Sequence, residues 1–279
     1  MVTREFPVAE SPTLRERAER WLAAGDPVTP VEPRSAATVM VVRDGSAGVE
    51  VFMLRRVATM AFAPRMMVFP GGGVDPRDAD PDLPWAGPSP GEWAALMQVD
   101  EGTARELVAA AVREVFEECG VLLAGRSPEV VIDDVSGEHW HAQRQRLLSR
   151  DASLSEVLRE HDLVLRSDLL GYRAHWVTPE FEARRYDTRF FSALLPQGQR
   201  ADDLSSEADV ADWVQPAELV AAWRDGAALM LPPTVVAVEE VAAAGSAAAF
   251  VAERPRIARV QPELVDTGDG LVLRAELPR

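Results

Sequence analysis

The stretch Arg113-Glu114-Val115-Phe116-Glu117-Glu118-Cys119-Gly120-Val121 decides how the rest of the chain is read. A helix turns about 100° per residue, so Glu114, Glu117 and Glu118 share one face. Three carboxylates within about 6 Å of axial rise, near the negative end of a helix, repel one another. Such a face is either solvated and balanced by Arg105 and Arg113, or built to hold a hard cation through oxygen ligands. Mg²⁺ or Mn²⁺ suits that donor set. Arg113 stands one turn before Glu117 and two turns after Glu106, placed to fix a carboxylate by an intrahelical ion pair. Leu107, Val108, Ala111, Val112 and Val115 form an apolar stripe on the same helix, so the stripe packs on a sheet while the acidic face points into a cleft. Thr103 with Glu106 reads as a capping box at the helix start, and Gly120 as the residue that ends it.

Upstream, Ala37 to Arg43 is an apolar, β-branched strand, Asp44 to Gly48 a turn, and Val49 to Arg56 a second strand. The short run Met66-Met67-Val68-Phe69 stops abruptly at Pro70-Gly71-Gly72-Gly73. Residues 75–100 are polar and rich in Pro and Asp, and read as an insertion or a functional loop. Residues 1–34 read as a peripheral helix and linker, with strands beginning at Ala36. Residues 35–279 read as one catalytic domain with helical additions. Helices are expected at 138–149, 154–160, 216–224 and 233–244. Strands are expected at 163–165, 175–178 and 188–195, with a terminal hairpin turning at 268–270. The mixture predicts an α/β sandwich, of α+β character, with a mixed sheet and helical insertions.

Composition narrows the function. The formal charge of −16 lacks the basic face of a nucleic-acid binder, and an anionic substrate needs a bound cation or clustered arginines. All 29 basic side chains are arginine, which excludes a lysine Schiff base, a lysine general base and a P-loop lysine. The single cysteine, Cys119, allows neither a disulfide framework nor a thiolate zinc site and points to a reducing, cytoplasmic setting. No secretory leader and no membrane span are expected.

The segment Arg113 to Val121 resembles the second half of the Nudix box, and Phe69-Pro70-Gly71-Gly72-Gly73-Val74 resembles its first half. The resemblance implies a Nudix-type α/β/α sandwich and a metal-dependent diphosphohydrolase. It assigns metal coordination to Glu114, Glu117 and Glu118 and to the Gly72 carbonyl, and an orienting role to Arg113. Here the halves are split by roughly two dozen residues. The fixed glutamate, seventh in an ordinary box, falls at Asp78, and helical geometry offers Glu106 as its substitute. A split box of this kind is similar to the coenzyme A and acyl-coenzyme A diphosphatase branch. So are Met53-Leu54-Arg55-Arg56, the segment Arg185 to Phe191, and Leu231-Pro232-Pro233-Thr234.

Glu207, six residues before Trp213, resembles a loop glutamate that serves other Nudix enzymes as metal ligand or general base. Arg55, Arg56 and Arg65 flank the strand leading to Gly72 and are candidates to meet the substrate phosphates. At most one of Arg55 and Arg56 faces the site, since adjacent strand residues point to opposite faces. The expected substrate is a small nucleoside-diphosphate derivative, coenzyme A or acyl-coenzyme A first, with ADP-ribose, NADH or other nucleotides as alternatives. A nucleotide sensor on the same fold is the rival class. The helical C-terminal third offers surface for a homodimer.

Overall fold

Alternation along the two long strands sets the layers. In the computed structural model, which describes residues 1–8, 12–24, 29–57, 65–202 and 208–278, the chain opens with strand β1 (Val2–Pro7) and helix α1 (Pro12–Ala23). Strands β2 (Arg34–Gly45), β3 (Gly48–Arg56), β4 (Met67–Val68) and β5 (Gly71–Gly73) follow. After a 3₁₀ turn at Pro76–Ala79 come β6 (Trp85–Ala86), α2 (Pro90–Met97) and the long helix α3 (Glu101–Cys119). Next are β7 (Ala124–Ser127), β8 (Val130–Val131), α4 (Glu138–Leu148), α5 (Leu154–Glu160) and β9 (Val164–Arg166). Strands β10 (Leu170–Val177), β11 (Tyr186–Leu194) and β12 (Ala208–Val214) precede helices α6 (Pro216–Arg224), α7 (Pro232–Ala242) and α8 (Ala247–Ala252). The chain finishes with β13 (Arg259–Val260), β14 (Glu263–Asp266) and β15 (Leu271–Leu277).

The central mixed sheet runs β12-β3-β2-β11-β10-β13. On β2, Ala37, Val39 and Val41 face one core, which they share with Leu107, Val108, Val112 and Val115 of α3. Met40 and Val42 point the other way, into a second core with Val235, Val238 and Val241 of α7 and Phe250 of α8. A sheet buried on both faces by helices is the expected α/β/α sandwich, because apolar residues at both parities of a strand must each find a layer.

Strands β2 and β3 pair only near their shared turn, from Val42–Val51 to Gly45–Gly48. Beyond that they part, and β4 pairs with β3 while β5 pairs with β2. The glycine strand is thus wedged into the mouth of a fork, with Gly72 opposite Ala37. The next neighbour outward, β11, lies parallel to β2 in a register that sets Tyr186 beside Arg34, Thr188 beside Ala36 and Phe190 beside Thr38.

Three expectations about elements change. The cap of α3 is Asp100, not Thr103 with Glu106: the Asp100 carboxylate accepts from the Thr103 amide at 2.9 Å and from its hydroxyl at 2.6 Å. An Asp100→Ala variant is expected to lose about 1 kcal/mol of stability in urea unfolding; no loss would remove the cap from the account. Residues 75–100 are not a bare loop. They hold the 3₁₀ turn, β6 and α2, the last capped reciprocally by Ser89 and Glu92 and anchored by buried Trp93 and Met97. The polar composition hid those two anchors. Finally, strands begin before Ala36: β1 pairs with β15, which also forms the expected hairpin with β14. Gly120 ends α3 with φ 71°, a left-handed conformation that glycine adopts without penalty.

Candidate active site

Arg113 is the hub. Its side chain is 4% exposed, and Nε and Nη2 donate to the two carboxylate oxygens of Asp78, each at 2.9 Å. This is the parallel two-bond pairing that a planar guanidinium makes with a carboxylate. Nη2 also donates to the Gly73 carbonyl at 3.0 Å. Nη1 donates to Glu114 at 2.7 Å and to both oxygens of Glu117 at 3.3 Å. One side chain therefore ties α3, the glycine strand and the 3₁₀ turn together. The turn is itself fixed: the Asp75 side chain caps it, and the Asp75 amide donates to Asp78 at 2.8 Å.

The glycines bring backbone against the acidic face. The Gly71 amide donates to Glu118 Oε2 at 2.7 Å. A Cβ on Gly72 would lie 2.5 Å from Glu114 Oε1, so any side chain there displaces the Glu114 carboxylate. Asp78, Glu114, Glu117 and Glu118 are all buried around one buried guanidinium. Arg77, the next cation, is already paired with Asp75 at 2.8 Å. Burial, aided by the neighbouring Glu117, pushes the Glu114 carboxyl up to about 7 against the pull of Arg113. Burial also raises Glu117.

Among the described residues no three His, Cys, Asp or Glu side chains are gathered closely enough to hold a metal ion as they stand. The reason is local, since Nη1 of Arg113 draws Glu114 and Glu117 to itself and the Gly71 amide holds Glu118. The donor set still fits a hard divalent cation: the buried carboxylates outnumber the guanidinium, all donors are oxygen, and a backbone strand approaches side-on.

That excess charge predicts a pH effect. Glu114 binds its proton more tightly folded than at its ordinary 4.5, so the folded state holds more protons than the unfolded one between 4.5 and about 7. Its contribution is complete below that window and lost as the pH rises through 7. In a chelator, melting temperature is expected to fall from pH 5 to pH 8, and Mg²⁺ to restore more of it at pH 8. A metal-induced shift of equal size at both pH values would contradict the assignment of the carboxylates.

The site opens into a cleft of about 760 Å³. Gly71 to Gly73, Arg113, Glu114, Glu117 and Glu118 line one end. Arg56 also lines it, whereas Arg55 turns away to an exposed pair with Asp209 at 2.7 Å. Arg65 is exposed and not part of the lining. Glu207 lies outside the described residues. Trp93 stacks edge-on against Phe191 at 5.8 Å, which makes it an anchor of the core. Cys119 is buried, and burial pushes its thiol up to about 12, leaving it an unreactive small apolar group.

Helical geometry offers Glu106 in place of the box glutamate, but the structure puts Asp78 against Arg113. The available signal was Asp78's place, seventh when Gly72 is counted as first. A carboxylate one methylene shorter still reaches, because the 3₁₀ turn carries it to the guanidinium.

The fold is that of Nudix proteins. Residues 94–241, just over half of the chain, match the family described as the NUDT19 Nudix domain, and the chain belongs to that family. A Caenorhabditis elegans protein named as nudix hydrolase 7 is 28% identical over 205 residues, or 72% of this chain. The chain spans 58% of that relative's length. The crystal structure of a NUDIX hydrolase from Alicyclobacillus acidocaldarius is 26% identical, with a TM-score of 0.70 over 80% of this chain and 97% of that one.

Proposed function

We propose that the protein is a metal-dependent diphosphohydrolase acting on nucleoside-diphosphate derivatives, with coenzyme A or acyl-coenzyme A as the first candidates. The observation that carries this reading is the buried excess of carboxylate at Asp78, Glu114, Glu117 and Glu118 around Arg113, set at the end of a cleft and against a glycine strand. Membership of a family whose hydrolases generally use divalent metal ions supports it. A volume of about 760 Å³ suits a nucleotide-sized ligand. The split box and the Leu231 to Thr234 segment, which lines the cleft, favour the coenzyme A type among substrates.

In the proposed reaction, water adds to one phosphorus as the bridging P–O bond breaks. The products are two phosphate monoesters, and both protons of the water are released once each monoester is a dianion, above its second pKa of about 6. Mg²⁺ or Mn²⁺, when bound, supplies polarisation of the phosphoryl oxygens and a lowered pKa for the attacking water. Glu114, Glu117 and Glu118, with the Gly72 carbonyl, are the groups that would hold it. Arg113 keeps Glu114 and Glu117 oriented, and Arg56 is placed to meet a phosphate oxygen. Glu207 is the candidate to accept the proton from water. Catalysis then rests on positioning and charge neutralisation, the main demands of phosphoryl transfer.

The test is a substrate panel with Mg²⁺ or Mn²⁺, read by product chromatography: coenzyme A, acyl-coenzyme A, ADP-ribose, NADH, diadenosine polyphosphates and deoxynucleoside triphosphates. Metal-dependent release of 4′-phosphopantetheine or its acyl form is expected. Cleavage of ADP-ribose or NADH alone would move the substrate class, and no cleavage of any member would leave the sensor reading in its place.

A further inference from the structure

The floor of the cleft is a small grid on the sheet. Arg34, Ala36 and Thr38 of β2 lie in register beside Tyr186, Thr188 and Phe190 of β11, and all six line the cleft. They share a parity, hence a face. One end of this grid meets the glycine strand, with Thr38 opposite Gly71 and Ala36 opposite Gly73. The other end is marked by Arg34 and, two residues before Tyr186, by Arg184.

Among the described arginines that line the cleft, Arg34 and Arg184 share the lack of a carboxylate partner with Arg56, which sits at the glycine-strand end. Arg17, Arg77 and Arg113 also line the cleft, and each is bound to a carboxylate. Glu182, the carboxylate lining the far end, is held by Arg17 at 2.6 Å. Arg34 and Arg184 are exposed, line the cleft, and take part in no ion pair or side-chain hydrogen bond among the described residues. In a protein of net charge −16, two uncompensated guanidiniums at one end of the substrate cleft form a local anion site. Their forked donors match a phosphate monoester.

The spacing says which phosphate. Arg34 is three strand residues from Ala37, the partner of Gly72, so its backbone lies roughly 10 Å along β2 from the carboxylate end. With the diphosphate held at the carboxylate end, that span is left to the attached ribose, and a phosphate monoester on the ribose covers it.

Building on the diphosphohydrolase reading, we infer that Arg34 and Arg184 form a second anion subsite for a phosphate monoester on the substrate's ribose. The protein therefore selects 2′- or 3′-phosphorylated nucleoside diphosphates over their unphosphorylated counterparts.

The test compares substrates differing only in that phosphate: coenzyme A with dephospho-coenzyme A, and NADPH with NADH. In the parent protein kcat/KM is expected to favour a phosphorylated member by about 30-fold, the value of a charge-assisted two-bond contact. In the Arg34→Ala, Arg184→Ala double variant the ratio is expected to fall to about two. A parent ratio near one, or an equal loss for both members of each pair, would overturn the subsite. Should no diphosphate be cleaved at all, the enzymatic reading fails and calorimetry decides the subsite separately. Adenosine 3′,5′-bisphosphate or adenosine 2′,5′-bisphosphate must then bind the parent more tightly than AMP does, with the difference lost in the double variant. Equal binding of all three overturns it.

Discussion

A Glu118→Gln variant is expected to turn over the proposed diphosphate substrate about 10³-fold more slowly than the parent, with Glu117→Gln close behind. Charge neutralisation by a bound divalent ion is worth several kcal/mol at a phosphoryl transition state, and about 4 kcal/mol corresponds to that factor. Glutamine keeps the shape and leaves an oxygen to accept from the Gly71 amide, which Glu118 engages at 2.7 Å. It removes the charge that a cation needs. The same exchange relieves like-charge repulsion in the buried cluster, so the metal-free melting temperature is expected to hold or rise. Turnover and melting temperature should therefore move in opposite directions, which separates loss of a ligand from loss of the fold. Full activity in both variants would end the metal assignment.

The second large effect concerns Asp78. In Asp78→Ala the buried Arg113 loses both bonds of its two-point pair, and stability is expected to drop by about 3–5 kcal/mol in urea unfolding. The released guanidinium should also shift its weight onto Glu114 and Glu117, which it contacts at 2.7 and 3.3 Å, so kcat/KM should fall as well. Glu106→Ala provides the contrast, with an expected change within about 0.5 kcal/mol, as for a side chain outside this network. Equal losses in the two variants would return the structural role to Glu106.

The excess of carboxylate has a consequence for the helix itself. Glu114, Glu117 and Glu118 lie in the last two turns of α3, where the helix dipole disfavours negative charge. The apolar stripe from Leu107 to Val115, buried against Ala37, Val39 and Val41, holds the helix in place regardless. Packing keeps the cluster assembled, so the proposed cation binding would need side-chain turns about Arg113 instead of folding of the helix.

By itself, the sequence determined what is local. Helical spacing placed Glu114, Glu117 and Glu118 on one face with Arg113, because an i, i+3, i+4 pattern depends only on the geometry of one helix. Apolar, β-branched runs located β2, β3, β11 and the end of β10, and the mixture of such strands with helices predicted the sandwich. The tertiary structure decided what depends on chain segments meeting. A fork between β2 and β3 admits the glycine strand to the acidic face, which no periodicity in either strand encodes. Asp78 reaches Arg113 across 35 positions of sequence because a capped 3₁₀ turn carries it there. Strand register, fixed by hydrogen bonds between β2 and β11, aligned Arg34 with Tyr186 and so gave the cleft a second end. The opening stretch, Arg113 to Val121, thus named the carboxylates; the positions of their partners came from long-range pairing, whose free energy is spread over the whole sheet and leaves no local pattern to read.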